Sequence, residues 1–272
     1  MRVTLLSSTP DALEVLLFTK NTRLSLDGTG LNAVRAWPEE EKMRELKYML
    51  GTIQSSWEFV DYIFSIQGVT RAFTHQLVRH RVGTAFAQQS QRTVDLSGGF
   101  DYLATGEMKE GSAEGRAGNF TRGHLLQTVR GQYDWTMDVI AEQYTRLTRR
   151  GVKPEDARGL LPTNILTNII FKANLRTLHD MALKRLCVKA QGEFQDVMKA
   201  ITREVTAIHP WAAQMLQVQC AWNGQCAFPN VPVDQCPIKP GVLNPETGRA
   251  YNGGEVAPLV AIQARYKETL GV

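Results

Sequence analysis

The spacing of apolar residues changes period several times along this 272-residue chain. At the start, Val3-Thr4-Leu5-Leu6 predicts a strand, and Ser8-Thr9-Pro10-Asp11 supplies a cap, a first-turn proline and an acidic group beside the positive end of a helix reaching about Thr19. Residues 38–50, PEEEKMRELKYML, predict a second helix that Gly51 stops. Over 59–67, Val60, Tyr62, Phe64 and Ile66 recur at every second position, the pattern of a half-buried strand, and Gly68 ends it. From Thr70 to Arg81 the period lengthens to that of a helix: Ala72, Phe73 and Leu77 are apolar, while Arg71, His75 and Arg79 fall four apart on another face.

Glycine and charge dominate 94–123, which predicts a loop or excursion. Leu125, Val129, Tyr133, Met137, Ile140, Tyr144 and Leu147 then make a helical stripe over 124–149. One or two helical turns are expected over 154–161, and Leu161-Pro162 begins a new segment. Between Asn174 and Ile208, apolar residues from Leu178 to Val205 predict one long helix, interrupted by His209-Pro210. Residues 210–272 hold most of the prolines with little periodicity, so an irregular tail packed on a single domain, 1–272, is expected. Strands combined with long helices and no internal repeat suggest an α/β or α+β fold and not a doubly wound one.

Composition narrows the function classes. With 43% hydrophobic and 21% charged residues the chain reads as globular, and no apolar run approaches the ~20 residues of a membrane span. The N-terminus lacks the long apolar core of a secretion signal, so a cytoplasmic location is expected. A net charge of +4 is too mild to imply nucleic acid but favours small anions. The four cysteines, Cys187, Cys220, Cys226 and Cys236, lack the tight C-x2–4-C pairs of a zinc site; structural thiols and no metal are expected.

The chemistry concentrates in RHRVGTAFAQQSQR, residues 79–92. A single arginine on a helix is ordinarily a solvated charge, but this stretch lacks the Lys/Glu alternation of a solvated face. Arg79, Arg81 and Arg92, together with Arg158 and Arg176, offer donor forks suited to phosphates, and the glutamines suit a hydrogen-bonding ring, which together suggest a nucleotide. Asn174 and Arg185 are eleven residues apart, nearly three helical turns, which places them on one face about 16 Å apart. Neither a glycine-rich dinucleotide fingerprint nor a P-loop is present. His75 and His80 read singly as structural histidines, Ser90 has no recognisable base, and Cys187 is expected to point away from Arg185 as a packed thiol.

These blocks resemble the flavin-dependent thymidylate synthases. That family's signature is R-H-R, seven residues, then Ser; here eight residues separate Arg81 from Ser90, followed by Gln91-Arg92. Ser55-Ser56-Trp57-Glu58 resembles the family's S-x-x-E, residues 68–81 resemble the helix entering the signature, and ARGLLP (157–162) and NLRTL…LKRL…AQ-x-E (174–193) resemble later ligand segments. The resemblance implies the family's fold, an antiparallel or mixed sheet with several long helices. It also implies a homotetramer that binds FAD and dUMP at subunit interfaces, with methylenetetrahydrofolate and NADPH as co-substrates. By motif position Ser55, Arg79, His80, Arg81, Asn174 and Arg176 would face FAD, with Gln88 as a further contact and Asp180 standing where the family has a flavin-side asparagine. Gln76, Arg79, Ser90, Gln91, Arg92 and Arg158 would hold dUMP, and Arg185 matches the arginine that activates the uracil. Further departures are Phe59 for a histidine, Thr93 for a tyrosine and Gly192 for a tryptophan.

The implied activity is reductive methylation of dUMP to dTMP. The spacing of the signature, Thr93 and Gly192 motivate an alternative: a related one-carbon transfer such as hydroxymethylation, or action on another pyrimidine nucleotide. A non-catalytic nucleic-acid-binding module is the remote alternative, disfavoured because aromatic residues do not interleave the basic stretch.

Overall fold

The computed structural model describes residues 1–52, 54–108, 114–118 and 128–223, with Cys226, Phe228 and Cys236. In chain order these form β1 (Arg2–Ser8), α1 (Ala12–Lys20), α2 (Gly28–Arg35), α3 (Glu39–Leu50), β2 (Asp61–Thr70), α4 (Arg71–Leu77), β3 (Thr84–Gln88), β4 (Asp101–Leu103) and β5 (Glu114–Arg116). There follow α5 (Val129–Arg149), α6 (Pro154–Ala157), β6 (Leu166–Asn174), α7 (Leu175–Arg185), α8 (Gly192–Ile208) and α9 (Gln219–Asn223), while short 3-10 turns cover Gln54–Phe59, Gly106–Met108, Arg158–Leu160 and Pro210–Gln214. The main sheet has the order β1-β2-β6-β3.

The chain divides into two compact units, one of Met1–Arg2, Ser65–Arg81 and Phe86–Phe171, the other of Val3–Phe64, Val82–Ala85 and everything from Lys172 on. In the first, the described residues of the excursion expected over 94–123 include a two-stranded ladder. Asp101–Leu103 pairs antiparallel with Glu114–Arg116, and Phe100, Tyr102 and Ala117 pack on Met137 and Ala141 of α5 and on Ile165. The ladder positions the core residues Phe100 and Tyr102, whose burial contributes roughly 1.5–3 kcal/mol per side chain. Helix α5 is seen from Val129, capped by the Thr128 side chain accepting from the Gly131 amide; residues 119–127 lie outside the described residues.

In the second unit α1, α3, α7 and α8 bury Leu13, Leu16, Leu17, Leu46, Met49, Leu178, Met181, Val197, Ile201 and Val205. The helix expected over 174–208 is two helices. The stripe holds in each half, but the chain leaves the helix after Arg185, and the Gln195 side chain turns back to donate from Nε2 to the Leu186 carbonyl (3.1 Å), satisfying an acceptor the break exposes. Cys187 therefore sits in the connecting turn and not on a helix face. Most of the expected tail, from residue 224 on, falls outside the described residues.

Besides β4 and β5, two strands of the main sheet escaped the pattern reading. In β6, Thr167, Ile169, Phe171 and Ala173 are buried in alternation, but Ile170 fills an outward position and blurs the period. β3 reads TAFAQ, with the Phe86 ring stacked on Phe171 at 5.5 Å. β2 runs past Gly68 to Thr70, because the glycine takes φ +65° within the strand and does not end it. Helix α4 stops at Leu77, so Arg79, His80 and Arg81 lie in the turn beyond its end.

Candidate functional site

Two strand-to-helix junctions carry most of the candidate residues. In the first unit, Thr70 is the last residue of β2, and its hydroxyl accepts from the Phe73 amide (3.0 Å), so the strand passes directly into α4. Gln76 lies on that helix, and the turn after it is held by Arg79 N–H donating to the Gln76 carbonyl (3.3 Å) and His80 N–H to the Leu77 carbonyl (3.1 Å). Arg79 and Arg81 are exposed and His80 is half-buried.

The signature then runs through β3, so R-H-R and S-Q-R stand at opposite ends of an extended segment. At ~3.3 Å per residue its five residues span about 16 Å. The far end is tied down within the first unit. Gln88 donates from Nε2 to the Thr74 hydroxyl (2.9 Å). Gln89 N–H donates to the Asn168 carbonyl (3.0 Å), the Asn168 amide donates to Gln89 Oε1 (3.2 Å), and Arg71 donates to the Gln89 carbonyl (2.6 Å). Asn168 is itself oriented by accepting from the Gly68 amide (3.0 Å). Ser90 turns the chain by accepting from Arg92 N–H (3.1 Å), and Arg92 pairs with Glu155 (3.3 Å). Ser90, Arg92, Thr93, Lys153, Pro154 and Glu155 line one open cavity of about 450 Å³. Gln91 is half-buried, and Arg158 is exposed at the start of its 3-10 turn.

The second unit holds the remaining candidates. Asn174, 5% exposed at the end of β6, accepts through Oδ1 from the Thr177 amide (2.9 Å) and thereby caps α7. Arg176 pairs with Glu58 (2.5 Å), which joins the first turn of α7 to the Ser55–Glu58 segment; Ser55 and Asp180 are exposed. At the other end of α7 the Arg185 guanidinium lies 4.5 Å over the ring of Phe194 on α8. Burial lowers its pKa, yet an arginine remains charged at neutral pH. On the buried face of α7, His179 is 1% exposed, its Nδ1 bonded to the Met215 carbonyl (2.6 Å), which assigns the proton to Nδ1, and its ring packs against Trp57 (5.1 Å) and Trp222 (4.6 Å).

Pattern reading missed Arg71, Thr74, Gln89 and Asn168. Arg71 and His75 repeat at four residues, but a helical period does not tell a structural arginine from a solvated one, and nothing in the sequence marks Asn168. Among the described residues no three His, Cys, Asp or Glu side chains are placed to hold a metal ion, and no helix is long and apolar enough to cross a membrane. Burial pushes the Cys220 thiol up to about 12 and raises that of Cys187, so neither is a thiolate at neutral pH.

A family profile described as thymidylate synthase complementing protein matches residues 4–211. The chain is 30% identical over 236 residues to the flavin-dependent thymidylate synthase of Clostridium tetani, covering 83% of this chain and 90% of that one. It is 34% identical over 216 residues to that of Nitratidesulfovibrio vulgaris, covering 75% and 83%. Among solved structures it is similar to the flavin-dependent thymidylate synthase of Helicobacter pylori complexed with FAD and dUMP, with a TM-score of 0.57 at 19% identity over 80% of this chain and 100% of that one. It is also similar to a UMP/dUMP methylase of Streptomyces cacaoi bound with 5-Br dUMP, with a TM-score of 0.61 at 18% identity over 79% and 93%. At those identities the likeness to solved structures is one of fold.

Proposed function

This chain belongs to the flavin-dependent thymidylate synthases, and from that premise we propose how its own residues divide the work of methylating dUMP to dTMP. The observation that supports the proposal is the pair of capped junctions: one presents Gln76 and the R-H-R turn, the other Asn174, Arg176 and Arg185, so each carries residues for both ligands. Carbon comes from methylenetetrahydrofolate and electrons from NADPH. FAD, when bound, supplies the hydride that completes the methyl group.

The donor set suits such a cofactor. Arg79 and Arg81 are exposed guanidiniums, Arg176 is held by Glu58, and Asn174, whose Oδ1 is committed to the Thr177 amide, keeps an Nδ2 able to donate to a ring carbonyl or a phosphate. With His80, Ser55, Gln88 and Asp180 they form the proposed flavin side. Gln76, Arg79, Ser90, Gln91, Arg92 and Arg158 form the nucleotide side. Arg185 has the activating role: carbon 5 of uracil is a weak nucleophile, and a permanent cation near N3 stabilises the anion left when N3 loses its proton, enriching the ring without a covalent cysteine. Its place over Phe194 fixes the guanidinium before substrate arrives, which lowers the reorganisation cost of that step. A homotetramer in the cytoplasm completes the proposal.

The test is to purify the protein, record its flavin absorbance and determine by mass the product formed from dUMP, methylenetetrahydrofolate and NADPH. Flavin absorbance and dTMP are expected, and Arg185→Ala should lower kcat at least 100-fold with flavin retained. A product heavier by one oxygen would select hydroxymethyl transfer, and unchanged turnover in Arg185→Ala would remove that residue from the chemistry.

A further inference from the structure

Asn168 lies on β6, the strand between β2 and β3 in the main sheet. Toward β2, its Oδ1 accepts from the N–H of Gly68 (3.0 Å), whose left-handed backbone (φ +65°) comes two residues before Thr70, the cap of α4. Toward the signature, its backbone carbonyl accepts from Gln89 N–H (3.0 Å), and its Nδ2 donates to Gln89 Oε1 (3.2 Å). Gln89 directly precedes Ser90, and its own carbonyl is held by Arg71, the first residue of α4 (2.6 Å). The Gly68 amide decides how both side chains are turned. A peptide N–H needs an acceptor, so the Asn168 oxygen faces Gly68, its NH2 faces Gln89, and the Gln89 oxygen turns to receive it. One side chain thereby ties the strand that leads to Gln76 to the segment that leads to Ser90, Gln91 and Arg92. All these residues belong to one compact unit. Gly68, Gln89 and Asn168 also line an open cavity of about 240 Å³, and the Asn168 and Gln89 side chains are exposed. Hydrogen bonds, and not burial of the Gln89 side chain, hold this arm. A solvent-facing arm that must be ordered when its ligand arrives costs affinity, and one fixed beforehand does not.

We propose that Asn168 is a positioning residue for the nucleotide, holding Ser90-Gln91-Arg92 in register with Gln76 before dUMP arrives. This rests on the reading of Gln76, Ser90, Gln91 and Arg92 as nucleotide ligands. Asn168 acts through Gly68 and Gln89 and not on the reacting carbon, so its loss weakens capture of dUMP and leaves the chemical step intact once dUMP is saturating. An amide suits the position because it offers an acceptor to one side and a donor to the other. Aspartate keeps the acceptor for Gly68 and can receive the Gln89 NH2 if that side chain turns over, whereas leucine of similar size offers neither bond.

The experiment measures turnover against dUMP concentration, with FAD saturating, in wild type, Asn168→Leu, Asn168→Asp, Ser90→Ala and Arg92→Gln. The KM for dUMP is expected to rise roughly fivefold or more in Asn168→Leu with kcat within about twofold of wild type, and to return to within about twofold in Asn168→Asp. A kcat that falls as far as KM rises would make Asn168 a general support of the fold and overturn the inference. A KM as high in Asn168→Asp as in Asn168→Leu would overturn the bridge between Gly68 and Gln89. If Asn168→Leu does not fold, Asn168→Ala decides on the same criterion. A KM that rises in Ser90→Ala and Arg92→Gln but not in Asn168→Leu overturns the inference alone. A KM unchanged in Ser90→Ala and Arg92→Gln overturns the nucleotide reading of that segment, and the inference with it.

Discussion

At Gly83, two residues beyond the R-H-R turn, the backbone takes φ +67°, and a Cβ there would lie 2.3 Å from Asn174 Nδ2 and 2.7 Å from Thr177 Oγ1. The close approach has a purpose in the second unit: the Gly83 carbonyl accepts from the Asn174 amide (3.0 Å), and the Thr177 hydroxyl donates to the Val82 carbonyl (2.7 Å). Any side chain at 83 pays twice, about 1–2 kcal/mol for the left-handed backbone and more for displacing the asparagine that caps α7. Gly83→Ala is therefore expected to lower the melting temperature by several degrees and to weaken flavin retention together. A melting temperature within one degree of wild type would show that the asparagine gives way freely. The sequence marks Gly83 only as a glycine between arginines and a strand; its constraint comes from residues some ninety positions away, which no local pattern encodes.

At the level of elements, Thr70 and Asn174 each end a strand and cap the helix that follows, with no intervening loop. Replacing either by alanine removes a cap hydrogen bond, at a cost of about 1 kcal/mol. The two losses differ by ligand. Asn174→Ala, which also removes a proposed flavin contact, is expected to reduce flavin occupancy with dUMP affinity little changed, whereas Thr70→Ala, at the start of the helix that carries Gln76 and leads into the R-H-R turn, is expected to raise the KM for dUMP and lower flavin occupancy together; an unchanged flavin occupancy in Asn174→Ala would refute its assignment. Much of this was legible beforehand. The two-residue period of Val60 to Ile66 identified β2, and the helix start expected at Thr70 fell one residue before α4, which Thr70 caps. β6 was not, because Ile170 stands exposed between buried Ile169 and Phe171 and mimics a continuous apolar run. The break between α7 and α8 was hidden for the opposite reason: Leu186 and Ala190 extend the stripe across a turn, and the residue that stabilises the break, Gln195, lies on the next helix.

Across the molecule, two histidines are held below their ordinary proton affinity. Burial lowers the pKa of His179 despite the Met215 carbonyl and the nearby Asp180 carboxylate, and burial lowers that of His209 despite Glu14. His209 also meets the Tyr62 hydroxyl at its Nδ1 (3.0 Å). A histidine with a depressed folded pKa binds its proton more readily when unfolded. Its contribution to stability is thus present above about pH 6.5 and declines as pH falls below that value, by up to about 1.4 kcal/mol per pH unit for each group. The melting temperature is expected to drop steeply between pH 6.5 and 5, and His179→Gln to flatten the drop; an unaltered slope in that variant would exclude His179 as its source. The family, the flavin and the nucleotide were legible from ordered blocks of sequence, whereas the partition of their residues was not. Residues Ser65–Arg81 belong to one unit, Val82–Ala85 to the other, and the chain returns to the first at Phe86. The fourteen residues from Arg79 to Arg92 are therefore no portable cassette. Transplanted into a foreign scaffold, they would carry their arginines but leave behind Asn174 and Thr177 around Gly83, and Thr74, Asn168 and Arg71 around the glutamines, which give each letter its place.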